Sequence, residues 1–201
     1  MGKRISFGQI DQTARWGLRV VDQATGTDLV RPLLFDAKPD KIFHENVFVA
    51  GLCLSGDFSG TYSYTGYLSD RLVGVLQAEL GLEVDARRVS DIGQNYTRAT
   101  TLEVVDDFIL NPETPGRDRT SLQLVPSGRF IGSLVGVKEK IVGSNAAFLT
   151  SELGGRVLVA AGLLFAPDFL AAEISLRVTT REAEKLASVV DSVGLGLHQS
   201  E

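Results

Sequence analysis

The sequence predicts an α+β fold with a mainly antiparallel sheet or sandwich-like core and two or three flanking helices. Hydrophobic residues make up 44% of the 201 residues, which is enough apolar surface to build a packed core. Strand-like segments follow one another in runs, and they do not alternate strictly with helices as in a parallel doubly wound sheet. We therefore expect about eight strands in a single domain over residues 1–201.

The N-terminal part is predicted to consist of strands. Residues 3–10 and 14–22 have the strand pattern, and residues 29–35 follow after a turn that contains Gly26. Glycine readily adopts the positive φ that a tight hairpin turn requires. Pro32 cannot donate a hydrogen bond to a neighbouring strand, so we expect this hairpin at an edge of the sheet.

A buried strand and a first helix are predicted next. Residues 41–55 are mostly apolar, which is typical of a strand buried on both faces. The Ser55–Tyr67 segment is rich in Ser, Gly and Tyr and is predicted to be the loop that enters a helix. Apolar residues at helical spacing predict that helix over 66–80, with Gly81 as its C-cap and a strand at 82–89.

The second half contains the strongest loop signal. Residues 101–110 fit either a helix or a strand. Residues 111–119 contain two prolines and a glycine among polar residues, which predicts an exposed loop excursion. A capping box at Thr179 and Glu182 predicts the start of the final helix, which ends at Gly194. The remaining elements are predicted as strands at 120–125, 129–137, 156–165 and 169–178 and a short helix at 144–152.

The composition argues against several classes of function. The chain has 20 basic and 25 acidic residues and no basic block, so we expect no direct readout of nucleic acid. No apolar stretch reaches the roughly 18 residues of a membrane span. The first residues lack the apolar region of a signal peptide, so we expect no signal peptide, no membrane span and synthesis in the cytoplasm.

Residues suited to catalysis are scarce, since the chain has two histidines and one cysteine. His44 next to Glu45 could serve as a general base or half a metal site. We interpret His44 as a structural or surface residue, because adjacent residues of a strand point to opposite faces. Cys53 lies in an apolar run without a cationic neighbour, which favours a buried core residue. We expect no cofactor, no metal and no enzymatic activity.

Two other polar clusters have a functional and an ordinary interpretation. The Ser55–Tyr67 loop could hold an anion at a helix N-terminus, but it lacks any phosphate-binding motif. Carboxylates near the loop excursion could bind a divalent cation, but their spacing fits no EF-hand, so we interpret them as solvated. These carboxylates are Glu103, Asp106, Asp107 and Glu113.

One segment resembles a known group of proteins. Val47 to Val89 is predicted as an apolar strand, a Gly/Ser turn, an amphipathic helix and a second strand. This pattern resembles the start of bacterial envelope-assembly domains of the curli-secretion and flagellar-outer-membrane kind. The resemblance covers under a quarter of the chain, and we expect no lipoprotein signal of the kind that those domains carry.

The leading hypothesis is a non-enzymatic structural or assembly protein that repeats in a larger homo-oligomer, such as a virion, a phage tail or a related tubular assembly. Its partners would be copies of itself and other assembly proteins, because an edge strand offers unpaired backbone groups to a neighbour. One alternative is a small adaptor or ligand-binding domain of the envelope-assembly type, with Ser55–Tyr67 as its site. Another is a hydrolase that uses carboxylates. The candidate interface residues are Trp16, Arg19, Tyr62, Tyr64, Arg117, Asp118 and Arg119.

Overall fold

The computed structural model describes residues 4–12, 14–56, 58–90, 100–106, 119–176 and 183–199. These residues form eleven strands and five helices. In chain order the elements are β1 (Arg4–Gln12), β2 (Arg15–Asp22), β3 (Leu33–Phe35), α1 (His44–Ser55), β4 (Thr61–Ser69), α2 (Asp70–Leu80), β5 (Glu83–Val89), β6 (Thr101–Val105), β7 (Arg119–Pro126), β8 (Ser133–Val135), β9 (Glu139–Ser144), α3 (Ala146–Leu153), α4 (Arg156–Phe169), β10 (Glu173–Leu176), α5 (Ala183–Asp191) and β11 (Gly196–Gln199).

All eleven strands belong to one mixed sheet. Their order is β11-β10-β6-β7-β9-β3-β2-β1-β4-β5, and β8 pairs with β9 beside this path. Six strand pairs are parallel and four are antiparallel. The prediction of an α+β fold with a mainly antiparallel sheet or sandwich-like core is therefore wrong, and the fold is of the α/β type.

The main cause of this error is that two predicted strands are helices. The segments 41–55 and 156–165 correspond to α1 and α4, in which ten of 12 and eleven of 14 residues are buried. A helix that is apolar on all sides has no amphipathic period, so its sequence looks like a strand buried on both faces. Once these segments are helices, they supply the crossovers that parallel strands need.

The other predicted elements differ less from the observed ones. The strand at 82–89 is confirmed as β5, the strand at 120–125 as β7 and the helix at 144–152 as α3. The predicted helix at 66–80 begins later, at α2, because the preceding segment is strand β4 and not a loop. The ambiguous segment 101–110 begins as strand β6.

The predicted N-terminal hairpin exists, but it is not at an edge. Strands β2 and β3 pair antiparallel, with Trp16 opposite Phe35. Strand β3 then meets β9 through the pair Phe35 and Ser144, so both strands of the hairpin lie inside the sheet. Pro32 precedes β3 and leaves the ladder intact, which removes the argument for an edge.

Two predictions concern residues beyond the described ranges. The loop excursion at 111–119 lies outside them except for Arg119, the first residue of β7. The capping box at Thr179 and Glu182 lies outside them as well, and α5 is described from Ala183.

The two halves of the chain repeat one arrangement. Strands β1, β4 and β5 are parallel and are linked through α1 and α2, and strands β6, β10 and β11 are parallel and are linked through α4 and α5. Reading outward from the central β3–β9 pair, the orders β3-β2-β1-β4-β5 and β9-β7-β6-β10-β11 correspond. Only β2 and β7 differ in direction, since β2 is antiparallel to β1 and β7 is parallel to β6.

The two central helices, α1 and α4, pack side by side on this sheet. Helix α1 packs on β1, β2 and β4, helix α4 packs on β6, β7 and β10, and the two helices pack against each other. Strands β1, β6 and β10 alternate buried and more exposed residues, as expected when one face packs on a core. On strands β2, β1, β4 and β5 the opposite face, called here the open face, carries polar side chains. Strand β7 is buried on both faces.

One buried ion pair of the second half holds a loop of the first half. The Lys140 side chain on β9 lies 2.7 Å from Asp168 at the end of α4, and both side chains are 4% exposed. The Lys140 Nζ atom also lies 3.3 Å from the exposed Asp40 carboxylate, in the loop before α1. The backbone N–H of Lys41 donates to the second oxygen of Asp168 at 2.9 Å. The pair therefore fixes the loop of the first half to the strand and helix of the second.

Candidate functional site

The three predicted aromatic interface residues belong to the interior. Trp16 and Tyr62 are 2% and 0% exposed, and Tyr64 is 7% exposed. Trp16 stacks on Phe35, and Tyr62 stacks on Phe7. In the described chain, the side chains of Trp16 and Tyr62 contribute to the core rather than to the surface.

The four predicted charged interface residues are placed differently. Arg19 lies on the open face of β2, where its Nε donates to the Asp28 carboxylate at 2.9 Å. Arg119 is exposed at the start of β7, and Arg117 and Asp118 lie outside the described residues. Their role at an interface stays a prediction.

A cluster of exposed aliphatic side chains lies on and beside β8. We call this cluster, which consists of Ile131, Leu134, Val135 and Val137, the β8 surface. Their exposed fractions are 84%, 59%, 69% and 101%, respectively. All three residues of β8 are exposed, so neither face of this strand is covered within the described chain. Contiguous exposed apolar side chains on a folded protein mark interaction surfaces.

Strand β8 also has an unpaired edge. It pairs antiparallel with β9 from Ser133 to Val135, and it has no other strand partner in the part of the chain that the structure describes. The backbone N–H of Gly136 donates to the Glu139 carbonyl at 2.7 Å and closes the hairpin. The prediction of a strand at 129–137 located this segment, but it did not identify its aliphatic residues as an interface.

The outer strand β5 has the opposite character. Four of its seven residues are charged, namely Glu83, Asp85, Arg87 and Arg88. Natural sheets protect exposed edges with charged side chains, which prevent pairing with other chains. Strand β8 has no charged residue, so the charges that protect the β5 edge have no counterpart on the free edge of β8.

A second candidate site lies where α1 begins. A pocket of about 320 Å³, called here the His44 pocket, is lined by Phe7, Gln9, His44, Tyr64, Thr65 and Gly66. It lies beside the point where the parallel pairing of β1 and β4 ends, at Phe7 and Tyr64. The His44 Nδ1 and the Tyr64 hydroxyl share a hydrogen bond of 3.2 Å.

The environment of Tyr64 keeps its hydroxyl protonated. Burial raises the pKa of the Tyr64 phenol far above its ordinary value, and a hydrogen bond with the Gln9 side chain lowers it by a smaller amount. Tyr64 therefore remains a neutral hydrogen-bonding group in the pocket. The rings of His44 and Tyr64 meet at a steep angle, with centroids 6.1 Å apart.

Gly66 makes this close approach feasible. The pairing of β4 with β5 is irregular between Tyr64 and Tyr67, and Gly66 lies in this bulge. A Cβ atom on Gly66 would lie 2.5 Å from the His44 Nδ1 and would also overlap the Tyr64 ring. Bulges frequently occur beside functional sites, where they redirect side chains.

His44 and Glu45 do not converge, although the reason differs from the predicted one. They are consecutive residues of helix α1, and Glu45 is buried. The Glu45 carboxylate accepts hydrogen bonds from the Ser69 backbone N–H at 2.9 Å and from its hydroxyl at 2.5 Å. The Ser69 hydroxyl also accepts from the Leu72 N–H at the start of α2. Glu45 thus fixes the junction of β4 and α2, and it is not part of the His44 pocket.

A third feature is a groove on the open face of β2, β1, β4 and β5. Small side chains on the two central strands form its floor, and longer ones on the outer strands form its walls. Its volume is about 740 Å³, and we call it the sheet groove. The lining includes Ser6, Gly8, Gln9, Arg19, Val21, Gln23, Ser63, Thr65, Asp85 and Arg87.

Metal and thiol chemistry receive little support in the described residues. They contain no group of three or more His, Cys, Asp or Glu side chains that could hold a metal ion. Of the predicted carboxylate cluster, Asp107 and Glu113 lie outside the described residues. Cys53 is fully buried, so its prediction as a core residue is confirmed.

The structure thus defines an α/β protein with an open face on strands β2, β1, β4 and β5 and with one exposed aliphatic strand, β8. Comparison of the chain with protein-family models, with curated proteins and with solved structures finds no match. The segment that resembles the envelope-assembly domains begins with a helix, α1, where that pattern requires a strand. Among the described residues, no helix is long and apolar enough to cross a membrane.

Proposed function

We propose that this chain is a non-enzymatic assembly protein whose copies join through the β8 surface. The observation that supports the proposal is the combination of an unpaired strand edge with four exposed aliphatic side chains. Each such side chain contributes up to about 1.5–3 kcal/mol when it becomes fully buried. Leaving this surface in water is unfavourable, so a partner that covers it is expected.

A second copy of the chain fits this surface. Two β8 strands can pair antiparallel around a two-fold axis through Leu134, which places Ser133 of one copy opposite Val135 of the other. This contact is isologous, because both copies contribute the same surface. The strand has no charged residue that would face its own symmetry mate, so like-charge repulsion does not oppose the pairing.

A larger assembly requires a further contact. A two-fold contact closes after two copies, so a ring or a tube needs a second contact, for example a heterologous contact between different surfaces. The exposed residue Arg119 and the open-face residue Arg19 are the described charged candidates for such a contact. A virion, a phage tail or a related tubular assembly is the predicted setting, with other assembly proteins as further partners.

The native mass of the untagged protein tests the proposal. We expect a dimer or a larger species by size-exclusion chromatography with light scattering. Leu134→Asp introduces two charges into each two-fold contact and should weaken association at least about 100-fold. Leu134 is 59% exposed, so the variant should keep the fold, which circular dichroism checks.

Phe148→Asp is the matched control. Phe148 is 49% exposed on α3 and does not belong to the β8 surface, so this variant should associate like the wild type. A wild-type protein that stays monomeric at high concentration would contradict the proposal. Equal effects of the two substitutions would also contradict it, because the β8 surface would then have no special role.

A further inference from the structure

The sheet groove contains one cation and one anion that lack ion-pair partners among the described residues. Asp85 and Arg87 lie two residues apart on β5 and line the groove. Neither forms an ion pair with another described residue. We propose that the groove binds a small zwitterion of the α-amino acid class with a polar side chain. This inference does not depend on the proposed assembly function.

Both charged side chains contact the neighbouring strand β4. The Ser63 hydroxyl donates to the Asp85 carboxylate at 3.5 Å, and Arg87 Nη1 donates to the Tyr67 hydroxyl at 3.4 Å. The guanidinium also lies 5.7 Å from the centre of the Tyr67 ring. Because Ser63 and Tyr67 belong to β4, these contacts turn both charges away from the free edge of β5 and towards the neighbouring strand.

The charge balance favours a zwitterion over a simple anion. Arg19, the second guanidinium of the groove, is already paired with Asp28 at 2.9 Å. The groove therefore offers one positive group, Arg87, and one negative group, Asp85. A simple anion would be attracted by Arg87 and repelled by Asp85. A simple cation would be attracted by Asp85 and repelled by Arg87. A ligand with an ammonium group and a carboxylate satisfies both groups through charge-assisted hydrogen bonds.

The rest of the lining favours a polar ligand side chain. The floor carries the hydroxyl groups of Ser6, Ser63 and Thr65, and Gln23 adds an amide group. These groups can donate and accept hydrogen bonds. Gly8 keeps the floor low between the walls, because it contributes no side chain.

Binding of L-glutamine to the wild-type protein, measured by isothermal titration calorimetry, tests the inference. We expect saturable binding with a Kd in the micromolar to millimolar range. N-acetyl-L-glutamine lacks the ammonium group and L-glutaminamide lacks the carboxylate, so each should bind about 10- to 100-fold more weakly. Asp85→Asn and Arg87→Gln should weaken L-glutamine binding by a similar factor.

Arg88→Gln supplies the matched control on the same strand. Arg88 is the next residue of β5, does not line the groove, and lies 3.8 Å from Asp70 of α2. This variant should bind L-glutamine like the wild type. The inference would be overturned if the wild type shows no saturable binding up to millimolar concentrations. Equal binding by the Arg87→Gln variant and the wild type would overturn it as well.

Discussion

The buried ion pair between Lys140 and Asp168 in the second half contacts the loop of Asp40 and Lys41 in the first half, and substitutions test how much this pair contributes to stability. Substitution of Asp168 by Asn leaves the Lys140 ammonium buried, with its nearest remaining carboxylate on Asp40 at 3.3 Å. That carboxylate is 75% exposed and therefore well solvated, so it compensates the buried charge only in part. The reverse substitution, Lys140→Met, leaves the Asp168 carboxylate with the Lys41 N–H bond as its described partner.

The magnitude follows from the burial of both side chains, which are 4% exposed. Removal of one partner of a buried ion pair leaves an uncompensated charge and typically costs about 3–5 kcal/mol. We expect about 3 kcal/mol for Asp168→Asn, at the low end of that range, because Asp40 still offers partial compensation. The double variant Lys140→Met with Asp168→Leu removes both charges and should lie within about 1 kcal/mol of the wild type.

Urea unfolding followed by circular dichroism measures these differences. The slope m should stay constant among the four proteins while the midpoints shift, which indicates a change in stability and not in cooperativity. The reasoning would be refuted if both single variants were as stable as the wild type. It would also be refuted if the double variant were less stable than either single variant, since charge compensation would then not explain the result.

Two further predictions concern the His44 pocket. Gly66→Ala should destabilise the protein by about 1–3 kcal/mol, because the new methyl group overlaps the His44 and Tyr64 rings. Gly74→Ala is its control, since a Cβ there meets open space within α2, and it should be neutral or stabilising by up to about 1 kcal/mol. Both are measured by urea unfolding, and equal effects would contradict the close packing at Gly66. Because burial raises the pKa of Tyr64 above the ordinary value of 10.0, the unfolded chain releases this proton first. Stability should therefore fall as the pH rises above about 10, and Tyr64→Phe should show a smaller fall than the wild type in urea unfolding at each pH. Identical pH dependence of the two proteins would contradict this.

The sequence predicted the amphipathic helix α2 and strand β5 because each has one buried side and hence a visible period. Helices α1 and α4 lack such a period, since they pack against the sheet and against each other. Their residues are apolar in nearly every direction, and local pattern cannot distinguish that from a doubly buried strand. The error then changed the predicted topology, because without these crossovers the neighbouring strands can only be connected as hairpins.

The contacts that form the candidate sites depend even more than the fold on the pairing of residues that are distant in the chain. His44 and Tyr64 are 20 residues apart in the chain, and their contact depends on α1 being a helix. The register of β4 against β5 brings Asp85 beside Ser63 and Arg87 beside Tyr67, which no sequence motif indicates. The β8 surface was more accessible to sequence reasoning, because its uncharged aliphatic run is visible once a strand is predicted there.

A cysteine cross-link at Leu134 tests the β8 contact most directly. In the antiparallel pairing that we propose, Leu134 lies opposite its own copy, and the Cα separation of such pairs falls within the range of a disulfide. The native Cys53 is fully buried, so it does not interfere. Under mild oxidation, Leu134→Cys should form covalent dimers much faster than the exposed control Phe148→Cys. Equal rates for the two variants would contradict assembly through the β8 surface.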